Sequence, residues 1–99
     1  MGFHSKVVGV SFEGRQKYVR QTQVNEQLTL QRDYNNPYDR NAIKVINASG
    51  NQIGFISKEL AENMARSIDM GIRYTVTVSS ITGTNPGDTM GVNIFIQEI

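Results

Sequence analysis

Cysteine is absent from this 99-residue chain, which excludes disulfides, thiolate metal sites and cysteine nucleophiles together. Histidine occurs once, at His4 beside the N-terminus, so neither a Ser-His-Asp relay nor a histidine metal cluster can be assembled. Gly83 and Gly87 lack the Gly-Lys-Ser/Thr ending of a phosphate-cradling loop. An excess of charge of one sign is missing too. Ten basic and nine acidic side chains leave a formal +1, whereas proteins that coat long duplexes carry a clear basic surplus. Apolar runs are only a few residues long, far short of the ~20 that cross a bilayer. No apolar stretch follows Met1-Gly2-Phe3-His4-Ser5-Lys6 to suggest a leader. The expectation is a cytoplasmic chain with no membrane contact, no enzyme activity, no cofactor and no bound metal. Nucleic acid, if bound, would be a short piece held in a defined pocket.

Neither repeats nor linkers interrupt the sequence, so residues 1–99 read as a single domain. A chain of this length buries roughly two-thirds of its unfolded surface without staples. Period-two alternation predicts strands at Lys6–Phe12, Gln27–Arg32, Ala42–Asn47, Gln52–Ile56, Ile72–Val78 and Gly91–Ile96. Ala48-Ser49-Gly50-Asn51 is a hairpin turn by composition. The stretch from Glu13 to Asn25 is polar and basic and reads as a long loop with at most a short turn. One helix is clear near Lys58–Met70. Ser57 stands at its N-cap, Leu60, Ala61, Met64, Ala65 and Ile68 form its apolar stripe, and Gly71 provides a left-handed stop. Several short strands with one helix predict a mostly β fold, a small barrel of about five to seven strands with an inserted helix.

Chemistry concentrates in Arg32-Asp33-Tyr34-Asn35-Asn36-Pro37-Tyr38-Asp39-Arg40-Asn41-Ala42-Ile43-Lys44-Val45. As an ordinary turn, its Asn and Asp side chains would bond their own backbone and Pro37 would fix one dihedral. That account leaves out Tyr38, a large aromatic at the apex of a polar loop, where such a ring can serve as a stacking platform for a base. Asp39 beside it is an acceptor-only carboxylate able to take a sugar hydroxyl. A metal-dependent nuclease built on Asp33, Asp39 and Lys44 would require converging acids, and their spacing matches no such arrangement. Arg15, Lys17 and Arg20, interleaved with Tyr18, form a second basic segment. It is either a solvated loop or a phosphate guide beside Phe12.

The same stretch, with Gly50-Asn51-Gln52-Ile53-Gly54-Phe55-Ile56-Ser57-Lys58-Glu59-Leu60-Ala61 and the opening Val7-Val8-Gly9-Val10, resembles the HIRAN domain family from about Lys6 to Ile96. The resemblance implies an OB-like β-barrel that grips the 3′-hydroxyl end of single-stranded DNA in repair or replication, with a translocase or nuclease as protein partner. It implies stacking by Tyr38 and, at a second aromatic position, by Phe12. It further implies a carboxylate contact to the 3′-hydroxyl by Asp39, loop shaping by Asn36 and Pro37, and a phosphate contact by Lys58. Three positions depart from the pattern. Ser11 replaces an arginine that holds phosphate, Phe55 replaces a polar histidine, and Thr82–Met90 offers no matching aromatic. Phe55 either stacks a base or fills the core, and the core is the favoured reading. The alternative reading is a protein-interaction or structural module of a phage or genome-maintenance system whose groove no longer holds DNA. Burial of both Phe12 and Tyr38 would favour it.

Overall fold

In the computed structural model, which describes residues 2–99, β-strands dominate. Strand β1 covers Gly2–Lys6 and is followed by a single helical turn, α1 (Gln16–Val19). Strands β2 (Gln27–Arg32), β3 (Ile43–Ile46) and β4 (Gln52–Phe55) come next, then helix α2 (Lys58–Asp69) and strands β5 (Tyr74–Thr82) and β6 (Gly91–Glu98). All six strands join one sheet in the order β1-β6-β5-β2-β3-β4, and every pairing is antiparallel.

The sheet curls into a half-barrel because its two edges meet. Beyond β1 the chain crosses to β4, where Val8 and Phe55 exchange reciprocal backbone hydrogen bonds of 2.9 Å each. The crossing depends on glycine: a Cβ at Gly54 would collide with the Val8 carbonyl oxygen. Alternation then sorts the side chains. Ile43 and Val45 of β3, Val76 and Val78 of β5, and Val92, Ile94 and Ile96 of β6 fill the interior, each contributing roughly 1.5–3 kcal/mol of burial. Helix α2 adds Ala61, Met64 and Ala65 to the core, with Leu60 and Ile68 packed partly against it.

The helix falls where its periodicity predicts, and its C-terminus closes as Gly71 requires. With φ at +99°, Gly71 lets its own N–H reach the Ile68 carbonyl at 3.0 Å and the Ile72 N–H reach Ser67 at 2.9 Å. Ser57 occupies the N-cap without a side-chain capping bond. Other expectations are corrected. The strand expected over Lys6–Phe12 lies earlier and stops at Lys6, because Gly9 turns left-handed at φ +71° and the chain folds away. His4 belongs to β1, packed 4.9 Å from the Phe95 ring, rather than to a loose end. The Glu13–Asn25 stretch is a loop with one short turn, α1, as expected, while β5 begins at Tyr74 rather than Ile72 and runs on to Thr82. Among the described residues no helix is long and apolar enough to cross a membrane.

Candidate functional site

Two loops rise on either side of the outer face of β3 and β4. Loop 33–42 leaves β2 and returns as β3, and its shape is written largely in its own side chains. Asn36 Oδ1 accepts the Tyr38 N–H at 2.9 Å and the Asp39 N–H at 3.0 Å, while Asn36 Nδ2 donates to Asp33 at 3.2 Å. Asp39 Oδ1 accepts the Asn41 N–H at 2.9 Å, and its Oδ2 takes no donor among the described residues. This is the local side-chain-to-backbone bonding that Asn and Asp favour in turns. With the backbone so pinned, Tyr38 stands out at 90% exposure.

A clamp at the loop's base ties it to the end of α2. Arg32 donates to Asp69 at 3.0 Å and to the Ala42 and Arg40 carbonyls at 2.8 and 3.1 Å. Its guanidinium lies 4.4 Å from the centroid of the Tyr34 ring, and the Tyr34 hydroxyl donates to Asp69 at 2.7 Å. The hydrogen bond from Tyr34, then that from Arg32, hold the Asp69 carboxyl below its ordinary value. The same bond to Asp69 raises Tyr34.

Loop 9–14 is built differently. Gly9, Glu13 and Gly14 all have left-handed backbone, at φ +71°, +55° and +71°. The loop is fastened by the two residues that follow it. The buried Arg15 donates from Nη1 to the Gly9 carbonyl at 2.8 Å and from Nη2 to the Glu13 carboxylate at 2.7 Å. Gln16 donates to the Val10 and Met90 carbonyls and accepts the Met90 N–H at 2.8 Å. Phe12 projects from this loop, exposed.

Three clefts with shared walls surround Tyr38, and only the largest of them is lined by both loops. The largest, about 790 Å³, is lined by Phe12, Glu13, Arg15, Asp33, Asn36, Pro37, Tyr38, Lys44, Gln52 and Phe55. A second, about 320 Å³, has Asn36, Tyr38, Asp39, Phe55 and Lys58 among its walls. The third, about 380 Å³, is bounded by Tyr38, Asp39, Arg40, Asn41, Lys58 and Glu62. Tyr38 borders all three. Phe12, Asn36, Pro37 and Tyr38 thus share the largest cleft, whereas Asp39 and Lys58 line the two smaller ones, which adjoin it at Tyr38. Lys17 and Arg20 border none of the three clefts; Lys17 lies instead over the Tyr18 ring at 4.9 Å. Arg15 reaches the groove with its guanidinium already bonded.

Phe55 corrects an expectation. It is only partly buried and forms a groove wall, with Arg15 5.0 Å from its ring centroid. It pairs across the ladder with Lys44, which pairs in turn with Gln31. Ile43 and Val45 are buried, so Lys44 must face outward beside Phe55. Lys44 and Gln52 are groove residues that reading by motif passes over. The alternation of β3 was the signal for Lys44, but its use required knowing that this outer face is roofed by two loops. No group of three or more His, Cys, Asp or Glu able to hold a metal occurs among the described residues.

The HIRAN domain family model matches residues 2–98. Over 45 residues the chain is 60% identical to human Helicase-like transcription factor and 58% identical to its Oryctolagus cuniculus counterpart. Those matches cover 46% of this chain and 4% of each relative, so the chain corresponds to a small part of much longer proteins. The crystal structure of the HIRAN domain of human HLTF superposes with a TM-score of 0.79 at 32% identity, covering 98% of this chain and 74% of that one. An NMR structure of the HLTF HIRAN domain in its DNA-bound conformation gives 0.68 at 33%, covering 98% and 73%. A Lactobacillus plantarum protein shares the fold at 0.74 and 21% identity, with both chains fully covered. With the family pattern running almost from end to end and the half-barrel reproduced, this chain belongs to the HIRAN domain family.

Proposed function

We propose that this HIRAN domain binds single-stranded DNA in the groove between its two loops and holds the strand by its 3′ end. The observation that carries the reading is Tyr38, 90% exposed on a loop whose backbone is fixed by Asn36. A ring held out in water and kept from collapsing onto the core is what a base-stacking platform needs. Phe12 across the largest cleft gives a second platform. Asp39 keeps one carboxylate oxygen for a terminal sugar hydroxyl, and Lys58, at the first turn of α2, meets phosphate together with the free N–H groups of that turn. Lys44 adds a second cation on the groove floor. The DNA-bound conformation recorded for the HLTF HIRAN domain supports DNA as the ligand. The likeness to Helicase-like transcription factor supports work in DNA repair or replication beside a translocase or nuclease. On this reading the groove binds and does not cut, and incubation with single strands and magnesium or manganese should leave them intact.

Labelled strands ending in 3′-hydroxyl, 3′-phosphate or a blocked terminus test the end recognition directly. A carboxylate accepts from hydroxyl and repels phosphate, so the protein favours 3′-hydroxyl strands. Asp39→Asn erases most of that preference, because an amide can both donate and accept. Equal binding of all three ends by the unmodified protein would reduce Asp39 to the turn residue that its bond to Asn41 already makes it.

A further inference from the structure

Glu13 and Arg15 form an ion pair on the wall of the largest cleft whose two halves are unequally placed. The Arg15 side chain is 9% exposed and the Glu13 side chain 79%. Nη1 of Arg15 is bound to the Gly9 carbonyl, and the guanidinium lies against the Phe55 ring. The buried cation is therefore fixed, and a Cβ added at Gly9 would press to 3.3 Å from Nη1. Its carboxylate partner is not fixed. Glu13 makes no side-chain bond except to Arg15 Nη2 among the described residues, and it sits on left-handed backbone at φ +55°, a region that non-glycine residues adopt at a cost. Both residues border the same cleft as Phe12, Tyr38, Phe55 and Lys44.

We infer that the Glu13 carboxylate is a built-in stand-in for phosphate: it occupies the anion position at Arg15, and a backbone phosphate of the incoming strand displaces it. This rests on the strand-binding reading above and adds to it a masked contact and its mask. The chemistry is an exchange of one oxyanion for another at a guanidinium, which suits phosphate at least as well as carboxylate. A solvent-exposed carboxylate gives up little on leaving. Departure of Glu13 frees its backbone to relax, and Phe12, its immediate neighbour, moves with it. Masking also explains how a buried arginine is kept neutralised in the empty groove.

The test is Glu13→Gln, which keeps size and exposure and leaves Arg15 its bond to Gly9. Binding of a short single strand should tighten about three- to tenfold. The log–log salt slope should steepen by about 0.7, because an unmasked Arg15 now releases one more counterion's worth of phosphate neutralisation. A strand with a neutral methylphosphonate at the linkage facing Arg15, found by scanning the linkages one at a time, should lose that gain while a 3′-blocked strand keeps it. Glu98→Gln on β6 removes the same charge away from the clefts and controls for net charge. Equal affinities of Glu13→Gln and the unmodified protein, or a matching gain from Glu98→Gln, would overturn the masking while leaving strand binding intact. If neither protein binds any single strand, the functional reading and the masking fall together. If only Glu13→Gln binds, the Glu13 carboxylate holds Arg15 against any strand and the masking stands.

Discussion

Loop 33–42 and loop 9–14 present an aromatic ring each to the same groove, yet they are held by opposite means. The Tyr38 loop fixes itself through Asn36, Asp33 and Asp39, whose side chains bond backbone two or three residues away. The Phe12 loop has no such internal bonding. It follows left-handed glycines and is held from outside by Arg15 and Gln16, the latter reaching 74 residues along the chain to Met90. The tip of a loop of the first kind can be altered without disturbing the fold, because only its base is tied elsewhere, through Arg32 and Tyr34 to Asp69 of α2. One of the second kind is joined to the barrel, so its fastenings serve both binding and stability.

The largest effect should come from removing the rings themselves. Stacking on an aromatic is worth roughly 1–3 kcal/mol per base, so Tyr38→Ala should weaken every single strand by about one to two decades, whatever its end. Phe12 borders one cleft where Tyr38 borders three. Phe12→Ala should therefore cost less and leave the preference among 3′ ends in place. Titration of both variants against hydroxyl and phosphate ends checks this, and a larger loss at Phe12 would reverse the ranking of the two loops.

The fastenings come next. Gln16→Ala strands the Val10 and Met90 groups in a partly buried place, where each unsatisfied group costs about 1–3 kcal/mol. Its thermal midpoint should drop clearly. Asn36→Ala frees two N–H groups that water can reach beside the exposed Tyr38, so stability should fall little while affinity drops about three- to tenfold, on the order of the 0.5–1.5 kcal/mol a hydrogen bond contributes. Melting curves beside binding curves distinguish the two. If Asn36→Ala melts like Gln16→Ala, the self-contained character of loop 33–42 is wrong.

The smallest effect concerns the clamp beneath Tyr38. The Asp69 carboxyl is lowered from its ordinary 3.8, so the clamp's contribution is complete above that value and is lost as pH falls through the lowered one. Tyr34 is raised from 10.0, so its share is present below 10.0 and is lost as pH rises through the raised value. Between those limits the clamp should be indifferent to pH. Stability followed by circular dichroism should show an acid-side loss that Asp69→Asn removes and an alkaline-side loss that Tyr34→Phe removes. An acid limb unchanged in Asp69→Asn would assign it to other carboxylates.

What could be read without coordinates follows the same division. Asn36-Pro37-Tyr38-Asp39 announced its turn because every bond shaping it is local. The α2 stripe and its Gly71 stop were legible because period and left-handed glycine are properties of a short window. Phe55 was expected in the core, since an aromatic at the end of an apolar strand usually goes there. The register shift between Val45 and Ile46 in the β3–β4 pairing, which leaves Ile53 unpaired, sets Phe55 opposite Lys44 and so toward the groove. Lys6–Phe12 looked like one strand because its composition is β-branched, and what ends β1 at Lys6 is the crossing of Val8 to Phe55 of β4, outside the window being read.

Sequence by itself thus determined the alternating strands, the one long helix, the exposed ring of Tyr38 and the absence of cysteine or histidine chemistry, since each depends on residue type and near neighbours. The tertiary structure decided which rings share a groove, that Lys44 and Phe55 form its floor, and that Lys17 and Arg20 stay outside it. It also decided that Arg15 packs against the Phe55 ring rather than lying in solvent. Those outcomes depend on the curl of the sheet that brings β1 and β4, its two edges, together at Val8 and Phe55, and a contact between distant segments leaves no period in either one.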